Sequence, residues 1–135
     1  MQFAVPRRGV PSAARLRGWA LAAATGLRQV TVRVVGSAEA RRLNRSYRGL
    51  NRPTNVLSFA YGRGDGDIVL CHQLIAREAR AQRKTLAAHY AHLVVHGMLH
   101  LRGHDHGARL PALRMEQAEI RALRRFGFGN PYELE

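Results

Sequence analysis

The chain has 135 residues, room for one domain with a real core and too few for two. Its hydrophobic fraction of 46% is ordinary for a globular protein, and no apolar run approaches the ~20 residues of a membrane span. A formal net charge of +13 favours a polyanionic partner, most simply nucleic acid, and the single cysteine, Cys71, excludes an intramolecular disulfide and a thiolate metal cluster.

The basic residues are skewed. Lys84 is the only lysine among 22, a bias that genomic base composition produces as readily as selection for binding. No acidic residue precedes Glu39, while Arg7, Arg8, Arg15, Arg17, Arg28 and Arg33 do, so the first part of the chain carries a basic face or a solvated helix. One free cysteine fits a reducing cytoplasm.

In chain order, residues 2–5 read as a short strand. Pro11-Ser12 opens a helix to about Thr25, with Ser12 as N-cap and Gly26 closing it. The apolar run Trp19–Ala24 is short and is followed by Thr25 and Gly26, so it reads as part of that amphipathic helix and not as a signal peptide. Gln29–Val35 is rich in β-branched residues and reads as a strand. Ser37 caps a helix over 38–47 that ends near Gly49. A strand over 54–59, a glycine-rich turn over 61–66 and a strand over 67–71 follow, joined closely enough for an antiparallel pair. The rest is helical, over about 72–82, 86–102 and 111–126, with Pro111 in the first turn of the last helix and Gly127 and Gly129 ending it. Sheet first and helices after gives an α+β fold: a small mixed β-sheet packed against about five α-helices, one domain over 1–135.

The chemistry concentrates in His96-Gly97-Met98-Leu99-His100-Leu101-Arg102-Gly103-His104-Asp105-His106. His96 and His100 stack one turn apart on a helix, Gly103 offers a place to end it, and His106 swings back beside them. Three imidazoles so arranged take three corners of a tetrahedral zinc site and leave the fourth open for water, the mark of a catalytic zinc. His92 and His96 form a rival pair at the same spacing, with His89 nearby, but have no third partner downstream. His104 is an alternative to His106 with less chain in which to turn. Asp105 either fixes a ligand's tautomer or is an exposed turn residue.

The spacing is that of metzincin proteases, His-Glu-x-x-His-x-x-Gly-x-x-His, with one difference. Gly97 stands where those enzymes carry the carboxylate that takes a proton from water. Gly97 also leaves room at the metal for a bulky substrate.

The same eleven residues closely resemble the signature of the YbeY endoribonuclease family, H-G-x-L-H-L-x-G-Y-D-H. Leu43-Asn44-Arg45-Ser46-Tyr47-Arg48-Gly49 resembles that family's L-N-x-x-Y-R-G, and Pro53–Phe59 resembles its P-T-[DN]-V-L-S-F. Gly66-Asp67-Ile68-Val69 resembles G-D-I-V, and His89, Ala91-His92-Leu93 and Met115-Glu116 also fall where the family has them. The resemblance covers roughly residues 29–130. It departs at His104, where tyrosine is usual, in the short segment between Phe59 and Gly66, and in the strong positive charge.

The resemblance implies a single-domain, single-strand-specific, metal-dependent endoribonuclease with a zincin-like three-His site. His96, His100 and His106 would hold one Zn²⁺ per chain, and Arg48 would be needed for activity. It further implies work in the cytoplasm on the 3′ end of small-subunit ribosomal RNA and in ribosome quality control. Its partners would be ribosomal RNA, the ribosome, and ribosomal or GTPase proteins, with no membrane.

Read from the residues themselves, Arg48 suits a phosphate through its planar fork, or satisfies helix-end carbonyls. Thr54 and Ser58 hydrogen-bond RNA or hold strand ends, and Asn55 reads a base edge or does the same. Tyr47, Phe59 and Tyr61 stack bases or fill the core. Asp67 and Lys84 are weaker candidates, and no residue is assigned to substrate binding. Two other functional classes stay open: a different zinc hydrolase, and a non-catalytic ribosome assembly factor with a structural metal.

Overall fold

The computed structural model describes residues 1–105 and 112–133, with the side chains of 104 and 105 outside that description. Four strands lie in the order β1-β2-β4-β3: β1 (Gln2–Phe3), β2 (Gln29–Val35), β3 (Val56–Gly62) and β4 (Asp65–Cys71). The pairings of β1 with β2 and of β2 with β4 are parallel, and β3 returns antiparallel on β4 at one edge of the sheet. Among the described residues the helices are α1 (Ala13–Leu21), α2 (Ser37–Arg48), α3 (His72–Ala81), α4 (Leu86–Asp105) and α5 (Ala112–Arg124). The fold is thus α+β with a mixed sheet, as the order of patterns predicts, and no helix among these residues is long and apolar enough to cross a membrane.

Alternation on β2 and β4 sends side chains to two cores. Val32, Val34, Ile68 and Leu70 face α1 and α4, where they meet Leu16, Trp19, Val94 and Met98. Val35, Val69 and Cys71 face the other way, against Leu57 and Ala40 of α2. Helix α4 lies across the sheet and is apolar nearly all round, with Tyr90, Ala91, Val94, Val95, Leu99 and Leu101 buried.

Several boundaries differ from the sequence expectation. Helix α1 stops at Leu21 instead of Thr25, because Ala23 bonds back to Ala20 in a tighter three-residue turn. Ser12 caps it as expected, accepting from the Arg15 N–H at 3.2 Å. Ser37 is not a cap: Gly36 holds that position, and the Ser37 N–H donates to Gln73 Oε1 at 2.7 Å, a tertiary substitute. The turn between β3 and β4 is only Arg63-Gly64, whose φ values of +57° and +81° fit the mirror-image turn that matches strand twist. The strands therefore run longer than the glycine-rich stretch suggests. Helix α4 passes through Gly103 to Asp105, where the sequence reading ends it at 102; glycine permits a helix end without compelling one.

Several early arginines are spent on the fold. The Arg33 guanidinium bonds both carboxylate oxygens of Glu39, at 2.8 and 3.1 Å, and Arg28 pairs with Asp65. Arg7 and Arg15 sit over the rings of Phe3 and Trp19, at 4.5 and 5.1 Å from their centres.

Candidate metal centre

Four histidines form a stripe on α4 at His89, His92, His96 and His100. Spacings of three and four residues keep them on one side of the helix, while the apolar residues between them pack it into the core. The His96 and His100 rings lie 6.4 Å apart at 22°, near parallel. His96 is partly exposed and His100 is exposed. His106 lies outside the described residues, as do the side chains of His104 and Asp105. Among the described residues no three metal-binding side chains converge.

The strongest feature of the site is a residue the sequence reading overlooked. Glu119 of α5 is fully buried and accepts a hydrogen bond from His96 Nδ1. It also accepts one from the Tyr132 hydroxyl, whose oxygen lies 3.2 Å from His92 Nε2. Glu119 therefore holds His96 directly and His92 through Tyr132. Burial alone would raise its pKa, yet the neighbouring His92, His96 and Tyr132 outweigh burial and bring it down to about 2. Tyr132 is pushed up, first by its own burial and then by the adjacent carboxylate.

The donor set suits a metal at His96. With Nδ1 donating to a carboxylate, Nε2 is the ring nitrogen whose lone pair is left over, the usual pairing of a metal-bound histidine with an outer carboxylate. His92 is differently placed, its Nε2 being engaged with Tyr132 and lying 3.5 Å from Glu119. His89 sits deeper still, bonded at 2.9 Å to Glu78, which Asn55 also contacts at 3.0 Å. Asn55 is thus tied into the scaffold.

A signal for Glu119 was present in the sequence. It shares a helix face with Met115, Ala122 and Leu123, and a carboxylate on an apolar stripe is rarely buried without a partner. Tyr132 gave no such signal, because it follows α5 in an irregular turn held by Asn130.

Gly97 is a correction to the idea of open space at the metal. Its missing side chain faces the sheet: an added Cβ would lie 3.1 and 3.3 Å from Ile68 carbons and 3.2 Å from Ser58 Oγ. The glycine lets α4 sit close on β3 and β4, and a glutamate there would run into them.

Arg48 and the histidines line different clefts. Arg48 is exposed at the end of α2, where Gly49 caps the helix in the left-handed conformation at φ +71°. It borders a polar cleft of about 400 Å³ with Arg52, Asn44, Thr54 and Glu78. His100 borders another, of about 300 Å³, with Tyr47, Ser58, Phe59 and Tyr61. Tyr47 and Tyr61 are exposed and do not fill the core. Asp67 accepts the Tyr61 hydroxyl at 2.6 Å, and Lys84 reaches the Pro131 carbonyl at 3.4 Å, so both have structural partners.

Similarity to known proteins follows the same lines. The profile of the family described as Endoribonuclease YbeY matches residues 14–127. A protein of that name from Aromatoleum aromaticum is 54% identical over 125 residues, covering 90% of this chain and 81% of its own. One from Nitrosomonas eutropha is 42% identical over 138 residues, covering all of this chain and 98% of its own. The solution structure of a Thermotoga maritima protein superimposes with a TM-score of 0.59 at 21% identity, over 98% of both chains, a likeness of fold.

Proposed function

The chain belongs to the YbeY endoribonuclease family, and on that premise we propose that it is a zinc-dependent enzyme cutting single-stranded ribosomal RNA. The family is one of endoribonucleases, hydrolases that cut within an RNA chain. The finer reading is cleavage in the cytoplasm at the 3′ end of small-subunit RNA and in ribosome quality control. Its partners are ribosomal RNA, the ribosome, and ribosomal or GTPase proteins.

The observation that carries the metal reading is the buried Glu119 carboxylate on His96 Nδ1. An ordinary surface histidine has no need of a buried carboxylate, whereas a ligand histidine gains orientation and basicity from one. His96, His100 and His106 are the residues that would hold the ion. Zinc, when bound, supplies a Lewis acid for the phosphodiester and acidifies water towards neutral pH.

The chain's own residues do the rest. Glu119 keeps the His96 proton on Nδ1. Tyr132 ties His92 into the same carboxylate, which keeps that ring from competing. Attack on phosphorus by water or by the ribose 2′-hydroxyl adds negative charge to the phosphate oxygens, and a guanidinium nearby stabilises it. Arg48, which borders the arginine cleft and not the histidine one, is the proposed donor of that group, with two N–H donors in one plane. At position 97 a peptidase would need a carboxylate where Ile68 and Ser58 leave no space.

Metal analysis combined with cleavage of a ribosomal RNA precursor tests this function. The expected result is one zinc per wild-type chain and site-specific cleavage, with both lost together in His100→Ala. Undiminished cleavage by metal-free His100→Ala protein would overturn it.

A further inference from the structure

The cleft beside His100 wraps the outer strand of the sheet. Strand β3 pairs only with β4 among the described residues, which makes it an edge strand of the described sheet. Phe59 and Tyr61, two residues apart on β3, share one side of it. Tyr47 of α2 packs its ring 4.7 Å from that of Phe59, tilted by 55°. Helix α4 closes the far wall with His100 and Leu101.

Two features are unusual for a structural aromatic cluster. Tyr47 and Tyr61 are 69% and 66% exposed, so large apolar ring surface is left uncovered by the described residues. The rings are nonetheless fixed. Phe59 rests on the core between the sheet and α2, and the Tyr61 hydroxyl is anchored to Asp67 at 2.6 Å. Pre-ordered aromatic faces lose little freedom when a flat ligand stacks on them.

The surroundings say what kind of ligand. The chain carries +13, and Arg45 and Arg48 flank Tyr47 in the last turn of α2. The aromatic cleft is bordered by Tyr47 and the arginine cleft by its chain neighbour Arg48. A ligand with a flat ring and an attached anion, repeated along a chain, fits both.

We propose that Tyr47, Phe59 and Tyr61 form a nucleobase subsite that stacks one unpaired base of the RNA next to the phosphate facing His96 and His100. The subsite rests on the endoribonuclease reading. It also supplies a reason for single-strand preference: the faces of a paired base are covered by its neighbours, whereas an unpaired base offers a face to Tyr47 or Tyr61.

The test is equilibrium binding of a short 2′-O-methyl oligoribonucleotide to the whole protein, followed by fluorescence anisotropy, beside cleavage of unmodified RNA. Tyr47→Ala and Tyr61→Ala are expected to bind about tenfold more weakly, with Tyr47→Phe near wild type, since the ring and not the hydroxyl does the stacking, and Tyr61→Phe between the two, since it keeps the ring but loses the anchor to Asp67. Removing the base at one oligonucleotide position should cost wild type a similar factor and cost Tyr47→Ala little further, because base and ring act as a pair. Alanine variants that bind and cut like wild type would overturn the subsite and leave the nuclease reading standing. Wild type that binds the oligonucleotide but cuts no RNA would overturn the nuclease reading. Absence of binding by wild type would overturn both. A dimer that dissociates in Tyr47→Ala would assign the face to a second copy of the chain and overturn the subsite.

Discussion

Glu119 on α5 accepts a hydrogen bond from Nδ1 of His96 on α4, and it does so from a fully buried position. The bond joins the two helices across the core and fixes which nitrogen of the ring is free. A buried carboxylate with three nearby polar side chains is worth keeping only where each donor needs an acceptor.

Replacing Glu119 should therefore be felt first in metal affinity. Glu119→Gln keeps the shape and one acceptor oxygen but cannot accept from both His96 and Tyr132. Zinc affinity is expected to fall roughly 10- to 100-fold, measured by competition with a chromophoric chelator. The circular dichroism spectrum of the metal-free variant should match wild type. Unchanged zinc affinity would mean that the bond is only structural.

Gly97→Ala tests the close approach of α4 to the sheet. Alanine is the better helix former by about 1 kcal/mol. Its methyl, however, would press at 3.1 Å on Ile68, which is completely buried and has nowhere to move. Overpacking of this kind costs about 1–3 kcal/mol, so a net loss and a melting temperature lower by several degrees are expected. A more stable Gly97→Ala protein would show that the sheet yields.

Arg48→Ala should separate activity from stability. The side chain is exposed and faces a cleft, so the unfolding midpoint should change little. Removing a group that stabilises developing charge costs about 100- to 1,000-fold in kcat in typical sites. Single-turnover cleavage of RNA is the measurement, and Arg48→Lys should recover only part of the loss, because a single ammonium lacks the planar fork.

Acid should destabilise the metal-free protein before it touches the carboxylates. Burial lowers the pKa of His72, and of His89 despite its bond to Glu78. A histidine held neutral in the fold stays unprotonated while the unfolded chain takes up its proton, so stability falls as pH drops below about 6.5. Glu119, held at about 2, adds its loss only at lower pH, as the unfolded carboxylate protonates first. Urea midpoints at pH 7.5 and 5.5 check the sign, with the lower value expected at 5.5. His89→Gln should flatten the difference.

The sheet was legible because its signals are local. β-Branched residues mark β2 in full, and a short link marks the β3–β4 hairpin, although only the structure shows that two residues suffice for the turn. The histidine stripe was legible for the same reason, since three- and four-residue spacings define a helix face. Glu119, Tyr132 and the true role of Gly97 were not, because each depends on a partner distant in sequence: His96 is 23 residues from Glu119, and Ser58 is 39 from Gly97. The aromatic residues were ambiguous until exposure divided them. Phe59 lies against the core, while Tyr47 and Tyr61 stand clear of it.

Cys71 has a use that follows from its position alone. It ends the central strand β4, caps α3 and is completely buried, and it is the chain's single thiol. A thiol reagent reaches it when the layer that covers it, with Ala40 and Ser37 of α2, lifts from the sheet. The rate of labelling in native buffer is then a clock for that opening, and zinc, if it stabilises the folded state, should slow the clock in proportion. The protein carries its own reporter of how tightly the sheet holds α2, on the face away from the histidine helix, and no label need be engineered into it.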